Sequence, residues 1–380
     1  MTRPGDALTE MVAEIGLVDH HCHGIVPTAL DRQGFEALLC EADGPGPWHG
    51  TLFDTRVGFA VRRLCAPLLD LPVGVEPEKY LARRRALGAD EVARRLLRST
   101  GIAAFLVDTG HAADELTTPS ELARLAGGSA REVVRLESVA EEVIGTTAPS
   151  GFADACRDRL AAAGDAVAFK SIAAYRVGLD LAPQCPTEVE IAASAARWTA
   201  TLDPGVPVRS ADETVTRFLI WTAVDLGVPI QFHTGYGDAD ADLANCDPLL
   251  LTPLLRATAG RGVPIMLLHT YPFHRNAGYL AQVFDHVFVD VGLAMQNVGG
   301  RGGQVLSELL ELAPFGSVLF STDGYGLPEL FPISTTFFRR ALGAVLATGI
   351  DDGSWSFGDA ERIGHLIGAD NARRAYRLGG

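Results

Sequence analysis

The 380 residues carry 32 Lys and Arg against 47 Asp and Glu, a formal charge of -15. Such acidity argues against a nucleic-acid partner or an anionic membrane surface, where cationic faces supply the affinity. A hydrophobic share of 47% with 21% charged residues excludes a disordered chain. No run is apolar enough for a membrane span and no secretory leader is visible, so a cytoplasmic protein is expected.

Eight apolar, β-branched runs follow one another, at 17–23, 102–108, 132–137, 166–171, 228–233, 263–269, 287–291 and 317–323. The first closes on His21-Cys22-His23. Alternation in a strand puts His21 and His23 on one face, with Asp19 one step deeper, and turns His20 and Cys22 away. About 75 residues then separate the first run from the second, including the loop Asp43-Gly44-Pro45-Gly46-Pro47-Trp48-His49-Gly50. Helical patterns at 32–41, 54–69 and 90–99 flank that loop. A βα connection of this length reads as a helical lid over 28–98.

The second and third runs end in Asp108 and Glu137, and the fourth ends in Lys170-Ser171. Helical segments at 188–202 and 212–226 lead to the fifth run, which ends in His233. A helix at 249–259 leads to the sixth, which ends in His269, and one at 304–312 to the eighth, which ends in Asp323. Leu226-Gly227-Val228-Pro229 and Gly260-Arg261-Gly262-Val263-Pro264 have the form of helix C-caps feeding strands. Continuous apolar strands alternating with helices predict an α/β fold, a (β/α)8 TIM-type barrel with a long helical insertion after the first strand. An open doubly wound sheet would need a glycine-rich phosphate turn after the first strand, and Gly24-Ile25-Val26-Pro27 is not one. The whole of 1–380 is read as a single domain, closed by helices over 327–380. Six scattered cysteines without a C-x-x-C pair predict reduced, packed thiols.

Polar residues at strand ends lie where such barrels do their chemistry. His21, His23, His233, His269 and Asp323 come from four strand ends. Imidazole and carboxylate together suit a divalent cation of the zinc type. In this set and order the chain resembles the metal-dependent amidohydrolase superfamily. The segments 169–176, 231–238 and 321–329, with the closing Asn371-Ala372-Arg373-Arg374-Ala375-Tyr376-Arg377-Leu378, resemble its amidohydrolase-2 branch. Within that branch the chain is similar to the domain found alone in bacteria and fused before a glutamine-synthetase-like domain in nodulin-like proteins. The resemblance covers nearly the whole chain and leaves 28–98 poorly matched.

The resemblance implies one or two divalent ions, zinc with manganese as the alternative, on His21, His23, His233 and Asp323. Asp323 would touch the ion and take the proton of the attacking water. His269 would ligate a second ion or donate a hydrogen bond to the developing oxyanion. Lys170 holds the position where two-metal members carry a carboxylated lysine that bridges the ions. Otherwise it is a buried cation that binds a substrate carboxylate directly. Arg176 offers a bidentate fork for a carboxylate, or holds a loop salt bridge. Glu137, Tyr236 and Tyr271 are further substrate-binding candidates, Asp238 is a lesser one, and His111 is given no function.

These residues point to hydrolysis of an amide C–N bond in a small carboxylate-bearing substrate by metal-activated water. The nodulin-like resemblance suggests a γ-glutamyl amide. Non-oxidative decarboxylation of an unsaturated or aromatic acid is the alternative, and a non-catalytic binding barrel the second. Expected partners are a small-molecule substrate and copies of the same chain.

Overall fold

The computed structural model describes residues 4–42, 44, 46 and 48–379. Asp43, Pro45 and Pro47 of the predicted loop lie outside the described residues. Seven parallel strands form one sheet in chain order, β1 Leu17–Cys22, β2 Ile102–Asp108, β3 Ser129–Arg135, β4 Ala168–Ser171, β5 Ile230–His233, β6 Ile265–Leu268 and β7 Val287–Val289. Residues 318–326 run between β7 and β1 and bond to both. The Leu319 amide donates to Val289 O at 2.9 Å, the His20 amide to Phe320 O at 3.1 Å, and the Asp323 amide to His21 O at 3.1 Å. The ring therefore closes as an eight-stave barrel, although the eighth predicted strand makes isolated bridges and not a regular ladder.

Local signals place the helices. Asp212 caps Glu213–Leu226 by accepting from the Thr214 and Val215 amides, and Gly227 ends that helix at φ 69°. Thr118 and Thr187 head capping boxes at Pro119–Ala126 and Glu188–Thr199. Outside the strands, one apolar core fills the layer between sheet and helices. Inside the barrel, Val18, Leu106, Met266 and Leu319 pack with Ala372, Ala375 and Tyr376 near the end of the chain.

The third strand differs from its predicted bounds. It begins at Ser129, ends at Arg135, and gives way at once to the helix Leu136–Ile144. Glu137 therefore sits in the first turn of a helix and not at a strand end. The polar and apolar residues alternate straight across this junction, so no local feature marks it.

The insertion holds the helices Arg32–Ala37, Arg56–Ala60, Pro77–Leu87 and Ala89–Arg98. Phe35, Phe53, Tyr80 and Leu96 form a second core there, with Leu327, Leu330 and Ile333 from beyond the eighth stave. Arg84 Nε donates to Glu329 Oε1 at 2.8 Å, and the Tyr80 hydroxyl donates to the same oxygen at 3.0 Å. Both charges are buried. Trp48 is 93% exposed. Among the described residues, no helix is long and apolar enough to cross a membrane.

Candidate metal centre and substrate cavity

A cavity of about 560 Å³ opens at the C-terminal ends of the strands. His21, His23, Lys170, His233, His269 and Asp323 all line it, so the barrel brings these six expected residues together. Asp323 is the hub. Its Oδ1 lies 3.2 Å from His21 Nε2 and 3.6 Å from His23 Nε2, and its Oδ2 lies 3.7 Å from His269 Nε2. One ligand atom each from His21, His269 and Asp323 fall within 4.8 Å of one another. His21, His23 and Asp108 make a second set by the same measure, and His233 belongs to neither. The His233 ring stands 4.8 Å from that of His269.

The hydrogen bonds behind the rings decide which nitrogens face the cavity. Gln231 Nε2 donates to His20 O at 2.7 Å. A carbonyl can only accept, so Gln231 Oε1 turns to His21 Nδ1 at 2.8 Å and that nitrogen must carry the proton. His23 Nδ1 likewise donates to Asp108 O at 3.2 Å. Both Nε2 atoms therefore present lone pairs toward Asp323, the arrangement that a metal-ligating imidazole needs. Burial holds His21, His233 and His269 well below the usual histidine range, and brings His23 down to about 3. Neutral rings are the ligating form.

Two sequence expectations about β1 change here. His20 does not face away from the site. A register shift between Asp19 and Cys22 turns it inward as well. Its Nδ1 accepts from the Tyr376 hydroxyl at 2.8 Å, and its Nε2 donates to Asp290 Oδ2 at 3.0 Å. Asp19, placed one step deeper on the face of His21 and His23, bonds to Thr322 and to neither ring. It accepts from the Thr322 amide at 2.8 Å and from the Thr322 hydroxyl, and so fixes the residue before Asp323. Burial pushes its carboxyl up to about 8. Cys22 turns into the core as expected, with Sγ 3.7 Å from Leu106 O.

Asp290, just past β7, was not among the expected residues. Its Oδ1 accepts from the His269 amide at 3.1 Å, the Gly292 amide at 2.6 Å and Ser321 Oγ at 3.0 Å. His269, Thr270 and Asp323 have φ of 68°, 44° and 49°. Each such non-glycine residue costs on the order of 1–3 kcal/mol, and backbone strain of this kind clusters at functional sites. Asp290 is the group that holds His269 in its conformation. Its signal was available, since it is the one polar residue within the seventh apolar run.

Lys170 is 2% exposed, and its Nζ lies 3.4 Å from His21 Nε2. Burial brings it down to about 8, against the pull of Asp108 and Asp323. Arg135 pairs with Lys170 across the β3–β4 ladder and also lines the cavity. Its Nη2 donates to Asp108 Oδ2 at 2.6 Å. Burial alone would raise the Asp108 carboxyl, but Arg135 holds it well below the ordinary range. Arg135 thus takes the strand-end position that the sequence reading gave to Glu137. Glu137 is buried outside the cavity and accepts from Ser171 Oγ at 2.7 Å.

Arg176 lines the cavity and makes a 3.5 Å contact with Glu141. Tyr236 and Tyr271 do not line it. The Tyr236 hydroxyl donates to Leu293 O at 3.0 Å, and Tyr271 stacks on His274 at 5.6 Å. Their positions just after His233 and His269 suggested proximity, but both rings turn into the surrounding loops. His111, given no function from sequence, does reach the cavity, 5.0 Å from the Tyr325 ring and 6.1 Å from that of His23. Tyr175 is a further addition, with its hydroxyl 3.4 Å from His233 Nδ1.

The residues present fit a divalent cation. His233 Nε2 and Asp323 Oδ1 are buried without a hydrogen-bond partner, and His21 Nε2 and His23 Nε2 lie 3.2 Å and 3.6 Å from that Asp323 oxygen. Left alone, such a group of buried acceptors is costly.

The amidohydrolase-2 family model, described as amidohydrolase, matches residues 188–378. The chain belongs to that family. This amidohydrolase is 29% identical over 420 residues to protein fluG of Emericella nidulans, covering 98% of the chain and 47% of fluG. The chain thus spans about half the length of that curated relative. A Lactobacillus casei structure described as a candidate metal-dependent hydrolase superposes with a TM-score of 0.86 at 28% identity, over 97% of each chain. The uronate isomerase of Thermotoga maritima shares the fold, with a TM-score of 0.64 at 14% identity over 99% of this chain and 98% of its own. The family is one of metal-dependent enzymes, and this member is a hydrolase of that kind.

Proposed function

We propose that this amidohydrolase hydrolyses an amide C–N bond of a small carboxylate-bearing substrate, with γ-glutamyl amides as the leading class. The observation that carries this reading is the convergence of neutral imidazoles and Asp323 on a cavity whose wall carries Lys170, Arg135 and Arg176. His21, His269 and Asp323 would hold the cation, with His23 and His233 beside them. Zinc is the ion these donors suit first, and manganese the alternative. Such an ion brings the pKa of water toward about 7 and polarises a carbonyl.

The chain's own groups do the rest. Asp323, whose Oδ1 has no hydrogen-bond partner, takes a proton from the attacking water and returns it to the departing nitrogen. Water oxygen joins the carbonyl carbon, the C–N bond breaks, and acid and amine leave. Lys170 stays an unmodified ammonium beside His21 and offsets the charge of an anionic acyl half. Six unpaired cysteines suit a reducing compartment, and we assign the enzyme to the cytoplasm. The test is release of amine from a panel of γ-glutamyl and related amides by zinc-loaded protein. Turnover that disappears in Asp323→Asn supports the reading, and a panel left intact removes it.

A further inference from the structure

The charges around the cavity are sorted. Arg135 ends β3 and Arg176 lies five residues past β4, at the end of the short helix Ala173–Arg176, and the Nε of each is buried without a hydrogen-bond partner. The acids on that side do not use up these donors. Asp108 takes only Nη2 of Arg135, and Glu141 touches Arg176 only at 3.5 Å. A guanidinium donates in a planar fork, so two cavity-lining arginines of which the acids use only Nη2 match a planar carboxylate. Leaving them unmet costs more than supplying an acceptor.

The other sector has the opposite sign. Glu41 from the insertion and Asp238 from the loop after β5 line the same cavity. Neither has an ion pair among the described residues. Burial, and after it the neighbouring Asp323 and Asp238, pushes the Glu41 carboxyl up to about 7. Arg209 is taken by Asp240 at 2.7 Å and by Tyr175 O at 3.2 Å. A bound molecule therefore meets cations toward β3 and β4, and uncompensated acids toward the insertion.

We propose that Arg135 and Arg176 form the acyl-carboxylate subsite, and that this polarity selects amides whose acyl half carries a carboxylate and whose amine half does not. The inference rests on the amide-hydrolysis reading and adds the orientation of the substrate within the site. The acyl carboxylate lies against the two arginines, and the amine half leaves beneath the insertion, past Glu41 and Asp238. An amine half carrying its own carboxylate is repelled there.

Two measurements test this. The first is kcat/KM on three matched γ-glutamyl amides, one of a neutral amine, one with the acyl carboxylate replaced by a carboxamide, and one of an anionic amine. The expected order is a loss of about 10–100-fold for each of the second and third in the native enzyme, as a charged contact is worth. In Arg135→Lys and Arg176→Gln the carboxamide penalty shrinks about tenfold or more, while Glu41→Gln with Asp238→Asn relieves the penalty on the anionic amine. Arg135→Lys keeps a cation beside Asp108, so the fold is spared. The second measurement is the calorimetric Kd of glutarate, which needs no turnover. Glutarate binding weakened about tenfold in both arginine variants supports the subsite even if no amide is cleaved. Unchanged glutarate binding, or the same carboxamide penalty in native and variant enzymes, overturns it.

Discussion

Gln231 Nε2 donates to the Tyr376 hydroxyl at 2.8 Å, and this bond ties the end of the chain to the first histidines of the site. The Tyr376 hydroxyl donates in turn to His20 Nδ1, and Gln231 Oε1 fixes the proton on His21 Nδ1. The lone pair that His21 aims at Asp323 thus depends on an amide and a phenol far away in sequence. Gln231→Leu removes the acceptor behind His21 and lets the ring turn. Metal affinity should fall about 10–100-fold, the usual cost of losing such an orienting group. Competition against a chelator of known affinity reads this directly. Tyr376→Phe keeps Gln231 in place through His20 O and should lower affinity far less.

Metal removal is the more general check. Dialysis against a chelator should abolish amide hydrolysis, and zinc should restore it at a single ion per chain. Asp323→Asn keeps the shape but loses the charge and the proton acceptor. Its kcat should fall by 10²–10⁴, the range for a lost general base. Elemental analysis with intact mass of native protein checks the stoichiometry and the state of Lys170 together. Two ions with a carboxylated lysine would replace the one-ion reading.

The residues that meet at the cavity were legible because each needs only local information. An apolar run ends, alternation assigns a face, and His21, His23, His233, His269 and Asp323 follow. Gln231 was equally legible, being two residues before His233 on the same strand face. Arg135 was not, because Val134-Arg135-Leu136-Glu137 alternates across the end of β3 and hides the helix that begins at Leu136. The inward turn of His20 could not be read either. A register shift is a property of two strands, and β1 shows its shift only against β2. The pairing of Tyr376 with His20 spans 356 residues, a separation at which no sequence period carries information.

The insertion is fastened by a buried pair between Arg84 and Glu329, at 2.8 Å. Glu329 lies six residues past Asp323, so this contact joins the cavity's outer wall to the eighth stave. Arg84→Met strands a buried carboxylate, and loss of one partner of such a pair costs about 3–5 kcal/mol. Arg84→Met with Glu329→Leu removes both charges, and stability should return to within roughly 1–2 kcal/mol of the native chain, or exceed it. Urea midpoints at constant slope measure both variants. Equal midpoints for the single variant and the native chain would mean that the pair does not fasten the insertion.

Gly237 controls how closely Tyr175 approaches His233. A Cβ at that position would stand 1.9 Å from the Tyr175 hydroxyl and 3.0 Å from His233 Nε2. The first contact is impossible, so Gly237→Ala must displace the phenol, the loop or both. The phenol bonds to His233 Nδ1 at 3.4 Å, and its displacement removes that hold on the ring. The substitution is remote from the barrel core, so folding should survive with a loss of no more than about 1–3 kcal/mol. Activity should suffer more. A misplacement of about 1 Å can cost 10²-fold in rate, so kcat should fall by one to two orders of magnitude. Tyr175→Phe separates the two effects, since it removes the bond to His233 and leaves the backbone untouched. If Gly237→Ala and Tyr175→Phe lower kcat alike, the hydroxyl contact is what Gly237 preserves. If only Gly237→Ala does so, the loop carrying Asp238 has moved instead.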